Sequence, residues 1–379
     1  MTALAPRCLF LSPMKPLDDA VPSGDRATAR LLAALLGRIA YRVEPCSRMS
    51  ARLRDGSDAE IDALVAAASQ ETARILAREA AGRERPAFVF TYHNYYKAPD
   101  LIGPALSRAL GVPYLIAEAS RASKRAAGRF ARAHALAEES IDAADIVFAL
   151  TDNDRIELAR LKPAHQTVVD LKPFLDPGAW PQASADRTSR GDGACRLLAV
   201  AMMRSGDKMR SYAQLAAALR ELDGESWTID IVGDGPERDE VERLFAPFRA
   251  RARLLGRVDD PLRMSAIYRS ADLFVWPGVN EAFGMAYLEA QAHGVACVAS
   301  AQGGVSDAIR DGETGLIVGR DDPQAFADAV ARLLHNEASR QSMGEAAQRF
   351  VREERSIERA GVIVRDAIAA LRDGARGAA

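Results

Sequence analysis

The stretch LFVWPGVNEAFGMAYLEAQAHGVACVA, residues 273–299, decides the fold of this chain. Leu273–Trp276 is a short apolar run closed by Pro277 and Gly278. Apolar residues at 285, 288 and 292 then keep helical spacing, and Gly294 supplies a helix stop. This spacing predicts a helix beginning near Phe283. Val295–Ala299 is a second apolar run. Strand, loop, helix and strand in that order form a βαβ unit, which requires a parallel sheet.

The same alternation extends in both directions. Upstream it runs through Leu9–Leu11, the helical stretch Arg26–Leu36, Phe88–Phe90, Asp100–Leu110, Tyr114–Ile116 and Ile146–Phe148. It restarts at Leu197–Val200 and continues through Trp227–Val232 to Leu316–Val318. In the first half each strand is a continuous apolar run, as expected where helices cover both faces of a sheet. A polar, Pro- and Gly-rich stretch between Pro173 and Cys195 interrupts the series. At 379 residues the chain exceeds what one hydrophobic core supports. The expected fold class is therefore α/β, with two parallel-sheet domains at 1–180 and 195–350. A linker is expected at 181–194 and a C-terminal helical segment at 351–379.

Composition narrows the function. Fifty Lys and Arg against 52 Asp and Glu leave a net charge of −2, which does not suit a dominant nucleic-acid binder. Aromatic residues are only 6%, too few for a base-stacking surface. Cys8, Cys46, Cys195 and Cys297 form no CxxC and read as reduced, buried thiols of a cytoplasmic protein. No apolar run reaches the ~18 residues of a membrane span. Leu9–Leu11 reads as a first strand rather than a signal peptide.

The chemistry concentrates in the second half. Glu281 precedes the predicted helix and Glu289 lies about two turns along it, so the two carboxylates face different parts of one ligand. Small residues Ala282 and Gly284 let a ligand approach the backbone, and the helix start offers free N–H groups. Gly303-Gly304 opens a second such turn. Arg204 and Lys208 leave one strand-end loop, a pair of cations suited to a diphosphate. Gly233-Asp234-Gly235-Pro236 reads as a tight turn. It is a poor dinucleotide fingerprint, because Arg238 stands where a third Gly is required.

Taken together, these elements resemble a family 4 glycosyltransferase of the GT-B fold. The elements, in order, are the Arg204…Lys208 loop, Gly233-Asp234-Gly235-Pro236, Gly256-Arg257-Val258, Ala271-Asp272, Glu281…Glu289 around Phe283-Gly284, Gly303-Gly304 and Asp311-Gly312-Glu313-Thr314-Gly315. The resemblance implies two Rossmann-like parallel-sheet domains facing each other across a cleft. The first would bind the acceptor, the second the nucleotide sugar, and a C-terminal helix would cross back to the first. It implies retaining transfer from a nucleotide diphosphate sugar, with no metal and no cofactor, in polysaccharide or glycolipid synthesis. Arg204 and Lys208 would hold the diphosphate, Glu289 the ribose, and Glu281 the donor sugar. The backbone of Phe283, Gly284 and Met285 would lie beside that sugar, and backbone near Val258 would meet the base. Gly24 matches the glycine loop that closes over the donor.

The sequence departs from the family pattern on the acceptor side. Many relatives carry a His after the strand matching Tyr114–Ile116; here the residues are Glu118-Ala119-Ser120. Glu118 would either receive the acceptor proton or serve as a binding contact. His93 also follows a strand end, with a structural or acceptor-binding role. Arg121, Lys124, Arg125, Arg129 and Arg132 are expected along one side of a helix, a face suited to anionic lipid. Two other readings remain open: a non-catalytic sugar-nucleotide-binding subunit and a GT-B-fold epimerase. An NAD oxidoreductase fails, since no GxGxxG follows the first strand.

Overall fold

The computed structural model describes residues 5–20, 23–181 and 193–377. The chain divides into two compact units. The first runs to Lys172 and regains the chain from Ala360; the second spans Pro173–Arg359.

The first unit contains β1 (Arg7–Leu11), α1 (Gly24–Arg38), β2 (Arg42–Pro45), α2 (Asp58–Ala80), β3 (Phe88–Asn94), α3 (Gly103–Leu110) and β4 (Tyr114–Ala119). It continues with α4 (Ala131–Asp142), β5 (Ile146–Ala149), α5 (Asp152–Leu161) and β6 (Thr167–Asp170). All strand pairs are parallel, in the order β2-β1-β3-β4-β5-β6. Phe10, Phe90 and Phe148 stack across three strands, with ring centroids 5.6 and 6.2 Å apart. Ser23 caps α1 by accepting from the Arg26 amide, which fixes where the first loop turns into helix.

The second unit contains β7 (Cys195–Val200), α6 (Asp207–Glu221), β8 (Trp227–Val232), α7 (Arg238–Phe245), β9 (Ala252–Gly256), α8 (Pro261–Ser270) and β10 (Leu273–Val275). It continues with α9 (Met285–Ala292), β11 (Ala296–Ser300), α10 (Val305–Ala308), β12 (Gly315–Val318), α11 (Pro323–Leu334) and α12 (Glu337–Glu354). The strand order is β12-β11-β10-β7-β8-β9, again all parallel. A last helix, α13 (Ile357–Gly377), carries the chain back to the first unit. Each sheet thus reverses its direction of growth once, between β1 and β3 and between β7 and β10. In open α/β sheets, ligands bind at the carboxyl ends of the strands flanking such a reversal.

Three expectations are corrected. The first unit ends at Lys172 rather than at residue 180, and the second runs to Arg359 rather than 350. The cause is visible in Pro173–Pro181. The Leu175 amide donates to the Arg355 carbonyl at 2.7 Å, and the Trp180 ring lies 5.0 Å from His293 and 5.9 Å from Tyr268. Of the expected linker, residues 182–192 lie outside the described residues. Second, α9 begins at Met285, two residues later than expected, because Gly284 takes a left-handed conformation (φ 64°) as its N-cap.

Third, the basic helical face does not form. A 3₁₀ turn at Ser123–Arg125 and the α4 start at Ala131 break the assumed helix. Arg121 is buried and paired with Asp142 at 2.7 Å and with Glu138. Arg125 lies 5.1 Å from the centroid of the Tyr96 ring, and Arg129 the same distance from that of Phe130. Arg132 pairs with Asp62 at 2.5 Å. Arg121 and Arg132 are thus held in ion pairs, while Lys124, Arg125 and Arg129 are exposed but share no helical face.

Candidate functional site

In the second unit, the loops after β7 and β10 converge at the strand reversal. Lys208 stands in the first turn of α6, and Glu281 in the loop leaving β10. Lys208 Nζ lies 2.5 Å from Glu281 Oε2, joining loops 73 residues apart. The ammonium also sits 5.7 Å from the centroid of the Trp276 ring, whose Nε1 donates to the same carboxylate oxygen at 3.4 Å. Both side chains are partly exposed, 26% for Lys208 and 20% for Glu281, so a ligand can reach them. Arg204 is exposed at the end of the β7 loop and, among the described residues, makes no ion pair.

Backbone contacts hold these loops. A Cβ on Gly303 would lie 2.0 Å from the Glu281 carbonyl oxygen, and that oxygen also accepts from the Gly304 amide at 2.8 Å. The turn after β11 is thus packed onto the Glu281 loop, backbone against backbone. Gly235 plays the same part for the cation loop: its Cβ would lie 2.2 Å from the Met203 carbonyl oxygen. The Gly233–Pro236 turn therefore braces the segment that ends in Arg204. Tyr287, which sequence reasoning did not single out, pins the β10 loop by donating from its hydroxyl to the Trp276 carbonyl at 2.8 Å.

Helix α9 leaves the amides of Met285 and Ala286 without intrahelical acceptors, and Phe283 and Gly284 lie just before them. Glu289 is one turn into α9 and accepts from the Tyr268 hydroxyl at 2.6 Å. Burial pushes its carboxyl up to about 7, against a smaller opposing effect of that hydrogen bond. Val258 follows β9 at the same sheet edge and is partly buried against the core. The sheet therefore gathers Arg204, Lys208, Val258, Glu281, Phe283, Gly284, Met285 and Glu289 at one edge.

The Glu289 carboxyl also sets a pH dependence. Its folded pKa lies above the ~4.3 of an unfolded chain, so the folded state binds the extra proton between those values. Stability from this group is present at low pH and is lost as pH rises through about 7. Glu289→Gln should therefore melt about 2–4 °C higher than the parent at pH 8, if relief of the buried charge is worth ~1 kcal/mol. The difference should shrink at pH 5 and vanish only below the unfolded value of ~4.3, as read by calorimetry across that range.

The first unit gathers a separate cluster around its own strand reversal. Gly24 and Asp25 start α1, His93 lies near the end of β3, and Glu118 near the end of β4. His93 Nδ1 lies 3.1 Å from Asp25 Oδ1, and Nε2 lies 3.4 Å from Glu118 Oε1. Tyr95 stacks on the imidazole at 4.6 Å. Burial pushes the Glu118 carboxyl up to about 7, partly offset by His93. Burial would lower the imidazole, but Glu118 and Asp25 outweigh it and raise its affinity for a proton. His93 and Glu118 have positive φ of 66° and 62°, strain of about 1–3 kcal/mol each that is tolerated where side chains must be aimed. Sequence reasoning named His93 and Glu118 separately and missed Asp25. The signal for Asp25 was its place one residue past Gly24 at a predicted strand-end loop.

Among the described residues, no group of three or more His, Cys, Asp or Glu side chains is placed to hold a metal ion. The four cysteines are free and buried. No described helix is long and apolar enough to cross a membrane.

Two Rossmann-like parallel sheets in one chain, with a helix returning from the second unit to the first, define the class: this is the GT-B fold. Sucrose-phosphate synthase from Thermosynechococcus elongatus superposes with a TM-score of 0.73 at 18% identity, over 97% of this chain and all of that one. Anabaena Alr3699/HepE, solved in complex with UDP, gives 0.71 at 16% identity over 96% of this chain. Residues 194–336 match the family Glycosyl transferases group 1, so the second unit is a domain of that family. A D-inositol 3-phosphate glycosyltransferase of Salinispora tropica is 30% identical over 290 residues, 69% of this chain and 60% of the relative. One from Corynebacterium aurimucosum is 47% identical over 87 residues, 23% of this chain. The chain spans 60% and 63% of the length of its two Salinispora relatives.

Proposed function

We propose that this protein is a retaining glycosyltransferase that moves a sugar from a nucleotide diphosphate donor to a carbohydrate or lipid-linked acceptor. On this reading it needs no metal or cofactor and builds a polysaccharide or glycolipid. The observation that carries it is the meeting of Lys208 and Glu281 across the β7–β10 reversal, with Arg204 on the same loop as Lys208. A diphosphate brings more negative charge than one carboxylate, so Lys208 can exchange Glu281 for phosphate oxygens. Arg204 would add planar N–H donors. Two cations stabilise the departing nucleotide as charge develops on it, which is electrostatic catalysis of the leaving group. Freed from Lys208, Glu281 would take hydrogen bonds from the donor sugar. The amides beside Phe283, Gly284 and Met285 would take its oxygens or the phosphate, as helix starts do. Glu289 would accept from the ribose when ionised, and backbone near Val258 would meet the base.

UDP stands first among nucleotides to try, because Anabaena Alr3699/HepE was solved with UDP and with UDP-glucose. The buried free thiols suit a reducing cytoplasm. The test is proton NMR of the product formed from an α-linked donor in the presence of EDTA. An α-linked product at an undiminished rate is expected. A β-linked product would contradict retention, and loss of turnover restored by a divalent ion would contradict metal independence.

A further inference from the structure

The Asp25–His93–Glu118 cluster is graded in exposure. The Asp25 side chain is 38% exposed, His93 15% and Glu118 12%. Both imidazole nitrogens already face carboxylates, so His93 has no nitrogen left for an incoming group. Glu118 lies behind it, beside the Tyr92 hydroxyl in the buried end of the cluster. Asp25 alone offers a carboxylate that His93 holds on one oxygen and solvent reaches. It also starts α1, whose dipole and cap fix its direction. Burial opposes the charge on Asp25, but the His93 hydrogen bond dominates and holds its carboxyl below the ordinary value.

We propose that Asp25 is the residue of this cluster that meets the acceptor. It would take a hydrogen bond from an acceptor hydroxyl or ammonium group, with His93 and Glu118 acting through it as positioning residues. This rests on the glycosyltransferase reading. The charges facing the cluster specify the chemical class. Asp25, Glu118 and Asp154 stand against His93 and Lys15, and Lys15 itself pairs with Asp19 at 3.4 Å. Arg52 adds a cation on the Tyr95 side, but the carboxylates Asp19, Asp25, Glu118 and Asp154 outnumber Lys15 and Arg52, so the contact at Asp25 stays acidic. Such a site favours a neutral or cationic polyol group and disfavours a phosphate at this contact.

The experiment uses the full chain and the nucleotide sugar that raises its melting temperature. Nucleotide release is followed with glucose, mannose, N-acetylglucosamine and myo-inositol, and with the 6-phosphates of glucose and mannose. Asp25→Asn should raise the acceptor KM at least tenfold while leaving the donor-induced melting shift intact, and Asp25→Glu should recover part of the loss. His93→Gln and Glu118→Gln should raise the acceptor KM in the same direction but by less than Asp25→Asn, and should move its pH profile. Unphosphorylated probes should be used in preference to their phosphates.

An Asp25→Asn variant with unchanged acceptor KM overturns the proposal, as does a larger KM effect in His93→Gln or Glu118→Gln. Preference for the phosphates overturns the assignment of class. Stabilisation by donor without acceleration by any probe overturns it as well, since the cluster then recognises no polyol. Absence of any donor-induced stabilisation contradicts the glycosyltransferase reading itself, a separate failure.

Discussion

Lys208→Ala is expected to lower turnover by about 10²–10³-fold while the protein stays folded. The magnitude follows from removing one of two cations that face the charge on a departing diphosphate. Stability should change little. The pair with Glu281 is partly exposed, and such pairs contribute about 1 kcal/mol or less. Trp276 Nε1 still donates to Glu281 once Lys208 is gone, so the carboxylate keeps a partner. Arg204→Ala should act in the same direction with a smaller cost to the fold, because Arg204 is exposed. Steady-state rates and melting curves on the same preparations check both statements. A Lys208→Ala variant with parental turnover would remove the diphosphate assignment.

Gly303→Ala is the second large effect, and it reaches the site through the backbone. Gly303 has φ of 54°, and an added methyl would meet the Glu281 carbonyl oxygen at 2.0 Å. Neither atom belongs to a flexible side chain, so one loop must move. The amide of Gly304 would lose its bond to Glu281, and the Glu281 side chain would leave Lys208. Strain and clash together should cost about 3 kcal/mol, a fall of roughly 6–12 °C in Tm. Nucleotide-induced stabilisation should disappear with it. Gly312→Ala is the contrasting variant: Gly312 also has positive φ, but nothing lies within 4 Å of an added Cβ. It should pay the conformational strain alone and keep its response to nucleotide.

The residues explain which parts of this account could be read from the chain. Central strands such as β5 and β10 are unbroken apolar runs because helices cover both faces. The edge strands β2 and β6 are half-exposed, with polar ends such as Arg42 and Asp170, and give no such run. Sequence reading passed over both. The second-unit site was legible because Glu281, Phe283, Gly284 and Glu289 fall within one strand-loop-helix stretch. The first-unit cluster was not, because Asp25 and His93 stand 68 residues apart and only the β1–β3 neighbour relation brings them together. The basic face was misread because helical spacing was carried across Ala122 and Gly128. Both have positive φ, of 39° and 83°, which ends any regular helix there.

The central claim is that the β7–β10 reversal of the second unit holds a nucleotide diphosphate sugar. Thermal unfolding against UDP, GDP, ADP, CDP, their common sugars and NAD tests it most directly. A ligand at ~100 times its Kd adds about 2.7 kcal/mol to stability. The account predicts that one nucleoside diphosphate and its sugars raise the melting temperature, and that Lys208→Ala and Glu289→Gln each abolish most of that rise. No shift with any of these ligands, or a shift that survives in both variants, would contradict it.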